Sequence, residues 1–180
     1  MQIRFEPIDL AAAAEDLVAF LTENSWPFHS SAVLTEATVR QRIAEGYYRN
    51  GDREVFWIET PQRIGYLALE DLEDIDDGGC PVFDLRLAEE YRGQGLAEPV
   101  LRAFTELVFS RFPNLRRFEG QTREDNFAMR KTFIKAGFLK EAHYRQGWPT
   151  ADGEYLASVG YGILRSDFET GVVARFDWAD

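Results

Sequence analysis

The sequence has a single cysteine, Cys80, among 180 residues, so no disulfide can form within the chain. Cys80 sits in an acidic, glycine-rich loop with no basic neighbour to lower its pKa, which disfavours a catalytic thiol. Positive charge is in the minority: 20 Lys and Arg stand against 31 Asp and Glu, giving a formal net charge of -11. Such a chain repels phosphate backbones and anionic membrane surfaces, so neither nucleic acid nor a membrane is an expected partner. A cationic or amine substrate fits the charge better. No apolar run approaches membrane-spanning length, and "MQIRFEPIDL" lacks an apolar signal core, so the expected compartment is the cytoplasm. No repeat with a period of about 20–50 residues, low-complexity tract or linker divides the chain.

What is present is a large apolar fraction. Hydrophobic residues make up 45% and aromatics 14%, with 14 Phe and 4 Trp. A packed globule is expected, with most rings in the core and some lining a pocket. The length suits one domain, residues 1–180, with its core over about 3–168. "MQIRFEPI" reads as a strand. "DLAAAAEDLVAFLTEN" reads as a helix capped by Asp9, and "LTEATVRQRIAEGYY" as a second one, capped near Thr35, with Val39, Ile43 and Tyr47 spaced by four. Three strands follow: "DREVFWIET", "RIGYLALEDL" and "VFDLRLAEE". Next come a helix through "RAFTELVFSRF", a strand in "PNLRRFEGQTR" and the helix "DNFAMRKTFIKAGF". Asp125 or Asn126 can cap that helix, and Gly137 can end it. Two strands close the chain around "TADGE". The fold class is α/β (α+β), with a central mixed, mostly antiparallel sheet flanked by helices.

Between the strand "VFDLRL" and the helix that follows lies "YRGQGLAEPV". Helix N-termini present unpaired N–H groups and the positive end of the dipole, so they receive phosphates. Gly93 and Gly95 let a backbone approach a pyrophosphate without a Cβ in the way, and Arg92 adds a cation. An ordinary strand–helix turn has the same spacing. A Walker loop is excluded by the missing Gly-Lys-Ser/Thr. A dinucleotide fingerprint is excluded by the missing third small residue and acidic ribose partner.

Together, two stretches resemble the GNAT N-acetyltransferase superfamily. Its acetyl-CoA motif, Arg/Gln-x-x-Gly-x-Gly/Ala, is matched by Arg92, Gly95 and Ala97. Its second motif, an Asn, a helix and Gly-Phe, is matched by Asn126, Gly137 and Phe138. The closing hairpin resembles the subgroup that includes the ribosomal-protein N-terminal acetyltransferases. The resemblance runs from Ile3 to about Phe168. It implies the GNAT fold and an acetyl-CoA-dependent N-acetyltransferase, acting on a primary amine by direct attack in a ternary complex. Acetyl-CoA is the implied co-substrate, without a metal. Leu85 and Leu87 would offer backbone groups to the pantetheine arm. Backbone N–H groups of Arg92, Gly93, Gln94, Gly95, Leu96 and Ala97 would take the pyrophosphate. Asn126 would hydrogen-bond the cofactor arm unless it is only an N-cap, and Arg130 or Arg123 would reach the nucleotide phosphates.

The sequence departs from the family where protons are handled. Many members carry a Tyr four residues before the Gly-Phe glycine; here it is Phe133. The subgroup's Ser three residues after the Asn is Met129 here, and an Asp early in the last strand is Ala157. The remaining candidates are Tyr144 and Tyr155, which flank the closing turn, and Asp84, which is either a base or an ion-pair partner of Arg86. His143 is a further candidate base by its side-chain chemistry. An acyl-CoA-binding sensor without catalysis is the alternative. On the acceptor side, "ENSWPFHSS" interrupts two helices. Trp26, Phe28 and His29 beside Glu23 form either an acidic, aromatic amine pocket or a hydrophobic plug. Trp148, Asp152 and Glu154 would form the opposite lip. A protein N-terminus, a polyamine-like or aminoglycoside-like molecule, or an amino acid derivative would all fit. The chain would act as a monomer or homodimer.

Overall fold

The computed structural model describes residues 2–173. β1 (Arg4–Pro7) precedes α1 (Leu10–Glu23) and α2 (Glu36–Ala44). β2 (Arg53–Thr60), β3 (Gln62–Glu70) and β4 (Val82–Leu87) follow. A short 3-10 turn, Glu89–Tyr91, leads to α3 (Ala97–Arg111). β5 (Arg117–Arg123), α4 (Phe127–Lys135), β6 (Leu139–Pro149), β7 (Tyr155–Leu164) and α5 (Arg165–Thr170) complete the described chain.

Local chemistry sets the helix ends. The Asp9 carboxylate accepts from the Ala11 N–H at 3.0 Å, and Thr35 Oγ1 accepts from the Thr38 N–H at 3.2 Å. Both satisfy N–H groups that the first helical turn leaves unpaired. α2 is shorter than its spacing suggests. Gly46 adopts φ +73°, a left-handed conformation that stops the helix before Tyr47. Tyr47 therefore leaves the apolar stripe of Val39 and Ile43 and turns toward a cavity. At the end of α4, Phe138 N–H bonds to Phe133 O and Gly137 N–H to Ile134 O. This is a Schellman closure, with the Phe133 and Phe138 rings 5.3 Å apart across it.

The strands form two sheets, in the orders β1-β2-β3-β4 and β5-β7-β6. Every ladder between them is antiparallel. The expected mixed sheet is thus divided. β4 and β5 meet only near their starts, where Glu119 N–H donates to Pro81 O at 3.2 Å, and a cavity then separates them. Alternation along β2 and β3 sorts the core to two faces. Val55, Trp57, Tyr66 and Ala68 pack on α1 and α2 through Leu17, Leu21 and Val39. Phe56, Ile58, Leu67 and Leu69 pack under α3 and α4 through Leu101, Phe104 and Phe133. On β5, Gly120 makes room for rings: a Cβ there would lie 2.7 Å from both Phe83 and Phe133.

Candidate functional site

Two cavities open in the wedge between β4 and β5, against the segment that joins α1 to α2. One, of about 330 Å³, is lined by charged and aromatic side chains. The other, of about 200 Å³, runs toward Arg92, Gly93 and Ala97. Phe28, His29, Leu85, Arg86, Asn126 and Met129 line both, so the cavities share a wall.

The loop-side cavity is walled by side chains such as Trp26, Phe28 and Met129, and its far end is backbone. Ala88 N–H bonds to Ile64 O, so alternation turns the main-chain groups of Leu85 and Leu87 to the free edge of β4. Leu87 O already accepts there, from Arg92 Nε at 2.9 Å. Gly93 and Gly95 adopt φ +72° and +77°. A Cβ on either would meet nothing within 4 Å, so the space over the loop is open. The N-cap, Leu96, has no capping side chain. Among the described residues, no hydrogen bond reaches the backbone N–H groups of Gly93 through Glu98, whereas the Arg92 N–H, expected among the phosphate donors, is taken by Glu89 O at 3.2 Å. This row of free donors, at the positive end of a 15-residue helix, is the local chemistry that holds phosphates.

The other cavity is built from side chains. Arg86 grips Asp84 with Nε at 2.9 Å and Nη2 at 2.7 Å from Oδ2, and His29 Nε2 lies 2.9 Å from Oδ1. Burial alone would push the Asp84 carboxyl up. Arg86 and His29 outweigh it and hold Asp84 far below the usual carboxylate range. Asp84 is therefore an ionised partner for two groups rather than a free carboxylate. A second pair, Arg53–Glu70, lies on the ladder between β2 and β3. Burial raises the Glu70 pKa against the attraction of Arg53. Phe28, Tyr47 and Trp148 supply aromatic wall.

Several expected site residues sit elsewhere. Tyr144 is 53% exposed and Tyr155 61% exposed, and neither lines a cavity. Tyr144 pairs with Ser158 just before a ladder irregularity in which Gln146 takes φ +53°. Tyr155 faces Pro149 at the mouth of the hairpin. Trp26 lines the loop-side cavity but not the charged one, and is held as a plug between the helices. It is buried, its indole N–H donates to Leu21 O at 2.9 Å, and Arg86 and Arg92 stack over its ring. Glu23, Asp152 and Glu154 are exposed and line neither cavity, so the acidic lip does not form there.

Asn126 lines both cavities while capping α4. Its Oδ1 accepts from Met129 N–H at 3.2 Å, and its Nδ2 donates to Thr122 Oγ1 at 3.0 Å. The Arg92 side chain braces Leu87 and Ser25 carbonyls, and Gln94 donates to Glu90 O. Arg130 donates to Glu124 O at 2.7 Å and stands outside both cavities. Arg123 pairs with Asp125 and stacks 5.1 Å from Phe28. His143 lies 3.6 Å from Glu124, outside both cavities. Phe133 is fully buried, stacked 4.4 Å from Tyr161, so even a hydroxyl at this position would point into the core. The Arg53–Glu70 pair, Tyr47 and Gln121 escaped the sequence reading. Counting outward from the turn at Pro61 would place Leu69 opposite Arg53, because the irregularity between Ile58 and Glu59 that shifts Arg53 onto Glu70 has no local signal; nothing local marks the other two either.

A free helix terminus over an open strand edge, beside a charged cavity, has the chemistry to receive phosphates next to a second pocket. The model of the acetyltransferase (GNAT) domain matches residues 2–139. The chain belongs to the GNAT acetyltransferase family, enzymes that use acetyl-CoA as co-substrate. The fold is also that of solved structures. A spermidine N-acetyltransferase from Vibrio cholerae, in complex with CoA and spermine, has a TM-score of 0.77 at 16% identity, over 93% of this chain and 98% of that one. Mutant forms of the spermidine/spermine N-acetyltransferase from the same organism give 0.73 at 16% identity, over 96% of this chain and 100% of that one. No curated protein matches the chain by sequence. Among the described residues, no helix is long and apolar enough to cross a membrane.

Proposed function

We propose that this chain, as a single domain, moves the acetyl group of acetyl-CoA to a primary amine, on a protein N-terminus or a small molecule, by direct attack in a ternary complex. One observation carries the reading: the two cavities meet along a shared wall, one ending at a phosphate-type helix terminus and the other at charged and aromatic side chains. The pyrophosphate rests on the free N–H groups of Gly93 through Glu98, and the arm lies along the β4 edge at Leu85 and Leu87. The thioester then reaches the wall formed by His29, Asn126 and Met129. The closing hairpin's likeness to the ribosomal-protein subgroup supports a protein N-terminus, and the solved neighbours support a small amine.

The amine nitrogen attacks the thioester carbonyl, a C–N bond forms, and the C–S bond breaks. The amine loses a proton, and the departing thiolate gains one. Asp84 stays ionised and positions His29. With His29 Nε2–H donating to Asp84, Nδ1 is the nitrogen left to accept the amine's proton. It has no partner and no accessible surface, so the ring must shift slightly to meet the amine. The imidazolium so formed is stabilised by the carboxylate already beside it. Tyr144 and Tyr155 take no part, and water protonates the thiolate.

The test is thiol release from acetyl-CoA with a panel of amines. Release that depends on the amine supports the reading. Tight CoA binding without release from any amine overturns it. His29→Gln is expected to lower kcat by roughly 100-fold or more, the usual range for a lost general base, with CoA affinity unchanged.

A further inference from the structure

The charged cavity is not an acidic one. Its two carboxylates are both engaged: Glu70 with Arg53, and Asp84 with Arg86 and His29. Two guanidinium groups therefore balance two carboxylates, and His29 is the remaining ionisable nitrogen base in the lining. The chain's net charge of -11 lies largely elsewhere, as in the exposed turn with Asp74, Asp76 and Asp77. A polyamine would bring two or more ammonium groups into a space with no free carboxylate to meet them. Burying unpaired charge is costly.

The spare hydrogen-bonding capacity is on the donor side. Trp148 Nε1–H is buried and has no partner. Gln121 Oε1 accepts from Ser158 Oγ at 2.9 Å, which turns its NH2 the other way. Among the described residues, that NH2 has no partner, and Gln121 is exposed, so water serves it until a ligand replaces it. Arg53 Nε and Arg86 Nη1 are also without partners. These side chains all line the same cavity. Trp148 Nε1, Arg53 Nε and Arg86 Nη1 have no accessible surface, so a small side-chain shift must bring them to a ligand; one that completes them supplies acceptor oxygens, while Phe28 and Tyr47 offer apolar contact.

We propose that the acetyl acceptor is an α-amine whose adjacent carbon bears a carboxylate or carbonyl oxygen and an apolar side chain, and that it is not a polyamine. This rests on the acetyltransferase reading above. A free amino acid and the first residue of a peptide share this chemistry. In either, the oxygen meets the N–H groups of the Trp148 and Gln121 wall while the amine faces His29.

The test compares kcat/KM for thiol release with L-phenylalanine, phenylalaninamide, a phenylalanyl dipeptide, phenethylamine and spermidine. At least one of the first three is expected to exceed both phenethylamine and spermidine by about tenfold or more. If the free amino acid leads, the site reads a carboxylate; if the amide or dipeptide leads, it reads a peptide carbonyl. Trp148→Phe keeps a ring and removes the N–H. It is expected to cost L-phenylalanine or its derivatives about tenfold, and phenethylamine less, with CoA binding as the check on folding. Spermidine or phenethylamine equal to or better than the oxygen-bearing amines overturns the proposal. If no amine releases thiol, the enzymatic reading fails. Calorimetric binding of the same panel then decides this inference by the same ranking.

Discussion

The two cavities share a wall but are built from different material. The loop-side cavity has side-chain walls but ends on main chain: two left-handed glycines, a row of free N–H groups and a strand edge. The charged cavity is made of side chains drawn from many segments, among them His29 from the α1–α2 connection, Arg53 from β2, Glu70 from β3, Asp84 and Arg86 from β4, Gln121 from β5 and Trp148 from β6. Backbone geometry is set by a few adjacent residues, so one short stretch of sequence can carry a whole binding surface. A side-chain site depends on which distant residues the topology brings together. The first is legible in a sequence, and the second is legible only in a fold.

The largest effect that would break this comparison belongs to Asp84. Asp84→Asn removes the anion that holds Arg86 and His29 in a buried setting. Leaving a buried guanidinium without its partner typically costs about 3–5 kcal/mol. Thermal unfolding should therefore fall by several degrees or more, and activity should fall with it. The pH dependence has a definite sign. The folded-state pKa of Asp84 lies below its ordinary 3.8. The stability it contributes is thus present above about pH 4 and is lost as pH falls below that. Acid unfolding of the wild type should be steeper below pH 4 than that of Asp84→Asn. Equal acid sensitivity in the two proteins would count against the buried ion cluster.

A smaller effect tests the backbone-built side. Gly95 has open space where a Cβ would lie, so packing does not require glycine there. Its φ of +77° does, and so does a ligand approaching the main chain. Gly95→Val places a β-branched residue in a conformation it rarely adopts, at about 1–2 kcal/mol, and covers the free N–H groups. CoA affinity should drop at least about tenfold. Gly95→Asn tolerates the left-handed region better and should retain more stability, yet still lose affinity. If CoA binds the Val variant as tightly as the wild type, the phosphate seat lies elsewhere.

The sequence was most informative where a residue acts on its near neighbours. Asp9, Thr35 and Asn126 cap the helices that follow them, and Gly137 with Phe138 closes α4, because each works within four residues of itself. Periodicity misled at Tyr47, where one left-handed glycine ended the helix early. In sequence, Trp26 reads either as part of an acceptor pocket or as a hydrophobic plug, because it interrupts two helices beside Phe28, His29 and Glu23. Its burial depends on α1 and on two arginines more than 50 residues away. Overall acidity pointed to a cationic acceptor. Which carboxylates are already paired is decided by cross-strand register, and composition does not encode register.

The smallest expected effect separates the two kinds of reading most cleanly. Tyr144 and Tyr155 are the phenols that the sequence offers in place of the missing family donors, and both lie on the closing hairpin, more than half exposed and outside both cavities. A general acid in contact with the leaving thiolate contributes roughly 100-fold or more to kcat, whereas exposed substitutions away from a site stay within about 0.5 kcal/mol. Tyr144→Phe and Tyr155→Phe, each removing a single hydroxyl, should therefore leave kcat within about twofold of the wild type. The two outcomes differ by nearly two orders of magnitude, so steady-state kinetics is enough. A hundredfold loss in either variant would mean that the hairpin folds over the wedge when both substrates are bound. The acceptor cavity would then be a surface completed by closure, and the division between a backbone-built side and a side-chain-built side would extend to motion as well as composition.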